Sequence, residues 1–174
     1  LETIQSRSQG LLHFVETYRE LTRIPKPDFR IFPVFELFSH IGQLMKADLD
    51  EKNIEFQSAI APETLELMAD PDLVEQVLIN LLRNAAQALN GRENGRIDLT
   101  AQLDRRGRVV IRVRDNGPGI LADVQERIFI PFFTTKRDGS GIGLSLSRQI
   151  MRVHRGTISV QSKLNEETVF TLRF

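Results

Sequence analysis

The stretch from residue 97 to residue 113 leaves this chain few choices. Ile97, Leu99, Ala101 and Leu103 alternate with polar residues, and Val109, Ile111 and Val113 repeat the same spacing. Between the runs lies Asp104-Arg-Arg-Gly107, a turn sequence. Alternation at period two puts apolar side chains on one face of a strand, so the segment predicts a β-hairpin with one face to bury. Something must cover that face, and the chain supplies amphipathic helices to do it. Residues 33–49 carry Val34, Leu37, Phe38, Ile41, Leu44 and Met45 on one helical face. Residues 70–89 carry Val74, Val77, Leu78, Leu81, Leu82, Ala85 and Leu89. The second helix opens at Asp70-Pro71, a capping oxygen followed by proline in the first turn, and stops at Asn90-Gly91.

The remaining elements fit the same scheme. Phe29–Phe32, Asn53–Ser58 and Thr64–Met68 read as short strands, and Gly141–His154 as a third helix. Thr157–Ser162 and Thr168–Phe174 form a closing hairpin, with Phe170, Leu172 and Phe174 facing inward. The long segment from Asp115 to Gly141 reads as loop, with a short helix near Leu121–Arg127. The expectation is an α+β protein, a two-layer α/β sandwich with helices on one face of a sheet. Ahead of it, residues 1–22 read as one more helix, with Ile4, Leu11 and Tyr18 recurring every seven residues and Phe14 and Leu21 in companion positions. Pro25-Lys-Pro27 ends it. It is either a terminal helix packed on its own domain or a bundle helix without its partners. Domains are therefore expected at 1–24 and 25–174. The chain starts at Leu1, within a helix, which suggests a piece of a longer protein.

Composition removes several classes of function. Lys+Arg and Asp+Glu are both 23, so the formal net charge is zero and no nucleic-acid partner is expected. There is no cysteine, which excludes disulfides, thiol nucleophiles and thiolate-bound metals. The three histidines are far apart, and no apolar run exceeds three residues, so no segment here would contact or cross a membrane.

Chemistry-bearing residues fall in three places. On the second helix, Asn80 and Asn84 share a face, with Gln76 and Gln87 extending the polar stripe. Alone, such a pair is more often a hydrated edge than a site, although an amide oxygen can ligate a hard cation such as Mg²⁺. Asp115-Asn-Gly117-Pro-Gly119-Ile120 follows a strand directly. A carboxylate fixed at a strand end accepts only, which suits a donor such as the exocyclic amine of adenine. Phe129-Ile-Pro-Phe132-Phe133-Thr-Thr135-Lys136 leads into Gly139-Ser-Gly141-Ile-Gly143-Leu144, three glycines at spacing two ahead of a helix. That pattern turns backbone amides and a helix N-terminus toward phosphate, and the aromatic segment could hinge as a lid.

Each motif is weak alone; the set in this order is specific. The chain resembles, over about residues 29–174, the catalytic ATP-binding domain of sensor histidine kinases, in the superfamily that includes gyrase, the large heat-shock chaperones and mismatch-repair ATPases. Residues 78–85 look like that family's N box, 115–120 like its first glycine box, 129–136 like its F box and 139–145 like its second glycine box. The resemblance implies a Bergerat-type fold with a mixed, mostly antiparallel sheet. It implies ATP and Mg²⁺ as cofactors, with nucleotide contacts from Asn80, Asn84, Gln87, Asp115, Gly117, Gly119, Ile120, Phe132, Thr135, Lys136, Gly139, Gly141, Gly143, Leu144 and Thr168. Asn84 would hold the metal, Asp115 the adenine amine, and Lys136 or Arg137 would reach the γ-phosphate. Asn80 and Lys136 would serve phosphoryl transfer. Two departures stand out: Gln87 occupies a position where many members have lysine, and Glu166-Glu167 replaces glycines before the last strand.

Hydrolytic members are expected to carry glutamate at the Asn80 position as a base for water. Asparagine takes no proton at neutral pH, which favours a kinase. The family's acceptor histidine precedes an acidic residue and then Asn-Pro. His13, His40 and His154 precede Phe, Ile and Arg, so none fits. The resemblance therefore implies a domain that phosphorylates a histidine elsewhere in its full-length protein, in cis or in trans within a homodimer. That histidine would pass the phosphoryl group to a response regulator receiver domain. Residues 1–24 would be the second helix of the dimerisation bundle, and the parent a bacterial inner-membrane sensor with this part in the cytoplasm. The other expectations open at this point are an ATPase or anti-sigma-type serine kinase of the same superfamily, or a degenerate module that binds partners and no nucleotide.

Overall fold

The computed structural model describes residues 25–136 and 139–174. The expected helix over 1–22 with its His13, the domain assigned to 1–24, and the lid residue Arg137 lie outside the described residues. In chain order the elements are β1 (Arg30–Pro33), α1 (Val34–Glu51), β2 (Glu55–Ala61), β3 (Glu66–Ala69), α2 (Pro71–Ala88), β4 (Arg96–Leu103), β5 (Val109–Asp115), α3 (Ala122–Gln125), α4 (Gly143–Val153), β6 (Thr157–Lys163) and β7 (Glu167–Arg173).

Five strands form the main sheet in the order β2-β4-β5-β7-β6. β2 runs parallel to β4, and every other neighbouring pair is antiparallel. β1 and β3 pair with each other in a small separate sheet. α2 packs against both α1 and α4, giving one helical layer over the sheet. Between the layers, Leu78, Leu82, Ile97, Leu99, Ile111 and Leu172 are fully buried, so most of the alternation read from the hairpin marks the core face, whereas Leu103 at the strand end and Leu44 on α1 are exposed. The opposite face carries charge, where Arg114 reaches both Asp98 at 3.8 Å and Glu167 at 2.7 Å.

α2 is set in place from its first turn. Asp70 accepts from the amides of Asp72 and Leu73 at 3.1 Å each and from the amide of Asp28 at 2.8 Å. The Asp72 and Leu73 amides are among those that a helix start leaves open, and the Asp28 amide adds a tie to the segment ahead of β1. The Asp70 amide in turn donates to Nε2 of buried His154 at 3.0 Å, tying the start of α2 to the end of α4.

The short helix expected over Leu121–Arg127 shrinks to Ala122–Gln125, and α4 begins at Gly143 rather than Gly141. Gly141 O accepts from the Phe132 amide at 2.9 Å before α4 begins, and after Gln125 the Arg127 amide tightens onto Val124 O at 2.9 Å, which ends α3. Register matters most at one end of the sheet. Asp115 lies opposite Thr168, and Thr168 lies opposite Ser162, so three polar residues form a row across β5, β7 and β6. Among the described residues, no helix is long and apolar enough to cross a membrane.

Candidate nucleotide site

At that end of the sheet a cavity of about 520 Å³ opens between α2, the tip of β5 and the segment running into α4. α2 presents Asn80, Asn84 and Gln87 to it, because positions three and four apart share a helical face. The buried tip of β5 presents Asp115, and β7 presents Thr168. The roof carries Thr135, Lys136, Gly139, Gly141 and Gly143 with Leu144, and the side wall Gly119 with Ile120. Thirteen of the fifteen nucleotide residues named from the sequence therefore face one space.

The two others stand just outside it. The Gly117 amide donates to Asp115 Oδ1 at 2.9 Å, so it holds the carboxylate rather than lining the cavity. Phe132 is 39% exposed and its amide donates to Gly141 O at 2.9 Å, clasping the two arms of the roof segment. Its neighbour Phe133 lines the cavity instead, with the Arg127 guanidinium 4.4 Å from its ring centre. Consecutive residues in a tight loop point in different directions, and a run of two phenylalanines does not reveal which turns in.

Burial dominates the electrostatics of Asp115. It pushes the carboxyl up from 3.8 to about 6, against the opposing pull of the Gly117 amide and the charge of Arg92. The side chain thus sits ready to accept at one oxygen while the other is occupied by Gly117. At the far side of the cavity the Lys136 ammonium donates to Asn84 Oδ1 at 2.8 Å and to Gln87 Oε1 at 2.5 Å. Desolvation lowers the pKa of this lysine. Asn80 Nδ2 donates to Ser147 Oγ at 3.0 Å, and Ser147 donates to Gly143 O at 2.9 Å, so Asn80 is locked against the first turn of α4. A Cβ at Gly143 would overlap Asn80 Oδ1, so only glycine allows this approach. Gly119 adopts φ +78°, and a Cβ there would come within 2.5 Å of Lys163 O, which again requires glycine.

Sequence reasoning passed over Ala88, Val124, Ile128 and Ser140, which also face the cavity. It also passed over Ser162, which hydrogen-bonds the Thr168 hydroxyl at 2.9 Å. The signal for Ser162 was present. Ile158, Val160 and Ser162 share one strand face, and a hydroxyl in an apolar row marks a buried polar partner. Ala88 lies four residues after Asn84, so helical spacing also places it on that face, whereas Val124, Ile128 and Ser140 belong to segments whose facing only the folded chain identifies.

Comparison with known proteins agrees with this geometry. Residues 69–174 match the family described as histidine kinase-, DNA gyrase B-, and HSP90-like ATPase. The chain is 38% identical over 156 residues to the sensor histidine kinase ZraS of Escherichia coli strain K12, covering 88% of this chain and 33% of ZraS. The chain thus spans about a third of that relative's length. The nucleotide-free catalytic domain of the histidine kinase ThkA superposes with a TM-score of 0.76 at 36% identity, covering 84% of this chain and 95% of that domain. ThkA in complex with the response regulator TrrA gives 0.78 at 31% identity, covering 99% and 49%. Full-length ShkA in complex with AMPPNP gives 0.82 at 26%, covering 99% and 37%. A match across three-fifths of the sequence, on the segment that carries every wall of the cavity, places this chain in the histidine kinase-, DNA gyrase B- and HSP90-like ATPase family.

Proposed function

We propose that this chain is the catalytic domain of a two-component sensor histidine kinase. It binds ATP with Mg²⁺ and gives the γ-phosphoryl group to a histidine on another segment of its full-length protein. One observation carries the reading: residues from four separate sequence motifs, and the Thr168 end of β7, line one cavity. ThkA, a relative in fold and sequence, has been seen with a response regulator, which supports a receiver domain as the next acceptor. Residues 25–174 are read as the catalytic domain and residues 1–24 as part of the dimerisation bundle. The parent is read as a bacterial inner-membrane sensor with this domain on the cytoplasmic side.

The roles follow from the donors and acceptors present. Asp115, with one oxygen satisfied by Gly117, accepts from the exocyclic amine of adenine. Apolar Ile120, Val124, Ile128 and Phe133 enclose the base. The first turn of α4 points its free amides toward the phosphates. Lys136 moves its charge from the amide oxygens of Asn84 and Gln87 to the phosphates.

A divalent cation fits this set. Asn84 Oδ1 already faces a cation in the form of the Lys136 ammonium, and an amide oxygen is a hard ligand. Among the described residues no group of three or more His, Cys, Asp or Glu could hold a metal. Asn84 would therefore share the ion with phosphate oxygens, a common arrangement for Mg²⁺. When bound, the ion neutralises phosphate charge. Asn80, tied to Ser147, takes no proton from water, which favours transfer to an imidazole over hydrolysis.

The test is titration calorimetry with ADP and a non-hydrolysable ATP analogue, with and without Mg²⁺. It is followed by phosphoryl transfer to the acceptor segment of the same full-length protein. Saturable binding strengthened by Mg²⁺, then transfer to histidine, is the expected result. A folded domain that binds neither nucleotide overturns the reading, and so does steady phosphate release without transfer.

A further inference from the structure

We propose that Ser162 is a positioning residue for base selection: it fixes the Thr168 hydroxyl as an acceptor toward the cavity. The inference rests on the nucleotide-binding reading above and adds a residue that lies outside the cavity wall. Ser162 Oγ makes three contacts. It receives the Ile120 amide at 2.9 Å, donates to Glu167 O at 2.9 Å and lies 2.9 Å from Thr168 Oγ1. A serine hydroxyl has one proton and two lone pairs. A carbonyl can only accept, so the serine proton goes to Glu167 O. The lone pairs then take the Ile120 amide and the Thr168 hydroxyl proton. This is the one proton placement that satisfies all three contacts.

Thr168 has then spent its proton inside the protein. Toward the cavity it offers lone pairs alone. Its strand neighbour Asp115 also presents an acceptor there, its other oxygen being held by Gly117. The wall around the base is thus a pair of acceptors, matched to a purine whose six-position carries an amine. A six-oxo purine would place an acceptor against them, with no donor available from either side chain. Gln125 holds the arrangement from outside, its Nε2 donating to Ile120 O at 2.8 Å and to Ser162 O at 3.1 Å. Ile120 is therefore gripped at both its amide and its carbonyl.

Ser162→Ala frees the Thr168 proton to turn into the cavity. The expected result is an ATP affinity lowered about tenfold, on the scale of one or two lost hydrogen bonds. ITP affinity falls less or not at all, so the ATP-to-ITP preference narrows. Ser162→Thr keeps a hydroxyl and restores the preference. If Ser162→Ala does not fold, Ser162→Cys, with its weak donor and acceptor, carries the same comparison. A merely structural role would weaken both nucleotides equally, so an unchanged preference overturns the proposal. A wild-type domain that binds ATP while Ser162→Ala keeps its preference sinks the Ser162 assignment alone. A wild-type domain that binds neither nucleotide sinks both readings.

Discussion

The raised pKa of Asp115 makes base binding depend on pH in a calculable way. An amine donor needs the ionised carboxylate, and the empty pocket holds that carboxyl at about 6. At about pH 5 roughly one-tenth of the empty protein is then competent, against nearly all of it at about pH 7.5, so the apparent dissociation constant should rise about tenfold. Adenosine is the right probe, because nucleotide phosphates titrate in the same range and would blur the result. Its binding can be followed by NMR shifts of the Gly117 amide across that range. The same shift has a counterpart in stability. Between 3.8 and about 6 the folded, empty protein binds the Asp115 proton more tightly than the unfolded chain does. Its contribution to stability therefore falls as pH rises through that window, by up to ~3 kcal/mol. Asp115→Asn keeps the shape and cannot ionise. It should lose both the pH dependence and most of the affinity, while making the empty domain more resistant to urea at neutral pH. Adenosine affinity that stays level from about pH 5 to about pH 7.5 in the wild type would refute the assignment of Asp115 as the amine acceptor.

Three further outcomes test the other walls. Asn84→Ala should weaken Mg²⁺-dependent nucleotide binding far more than binding measured in EDTA, and equal losses would remove its metal role. Lys136→Met should leave ADP affinity within about threefold yet slow phosphoryl transfer by roughly a hundredfold, the usual cost of one lost charge stabiliser; a quench assay that finds unchanged transfer rules the lysine out. Asp70→Ala should cost about 1–2 kcal/mol in urea unfolding at neutral pH. Burial alone would raise the Asp70 pKa, but the amides of Asp28, Leu73 and Asp72 outweigh it and hold the group below 3.8. Its stabilisation is therefore full above 3.8 and should disappear as pH falls through the lower folded value.

The parts of this fold legible in sequence are those decided by neighbours along the chain. The cap at Asp70-Pro71 and the apolar face that follows it announce α2, because capping and period 3.6 are local facts. The hairpin of β4 and β5 is legible because its turn lies between two alternating runs. The parallel pairing of β2 with β4 is not, since β3 and α2 intervene and nothing in either strand names its partner. The site divides the same way. Asn80 and Asn84 declare their common face through helical spacing. The row of Asp115, Thr168 and Ser162 depends on register between three strands: the apolar row of Ile158, Val160 and Ser162 marks Ser162 as needing a polar partner, but that the partner is Thr168 emerges only when β6 is laid beside β7.

The sequence departure at Gln87 has a physical counterpart in the roof of the cavity. The chain has an amide at position 87, which cannot supply charge to a phosphate. The Lys136 ammonium arrives at that amide from the other side, 2.5 Å from Gln87 Oε1. In this chain the positive charge at that place comes from the segment above the helix. A charge on a helix is present whether or not nucleotide is bound. A charge on the roof segment can leave the amide oxygens and follow the phosphates. On the proposed reading, nucleotide binding at this wall would exchange one partner of Lys136 for another and would leave Asn84 Oδ1 open to a metal ion. Gln87→Lys supplies the test, since two ammonium groups in one small space repel. That variant should expel Lys136 from Asn84 in the empty domain, visible as a changed Asn84 side-chain amide signal in NMR spectra. An unchanged signal would mean that the wall and the roof do not compete for the same place.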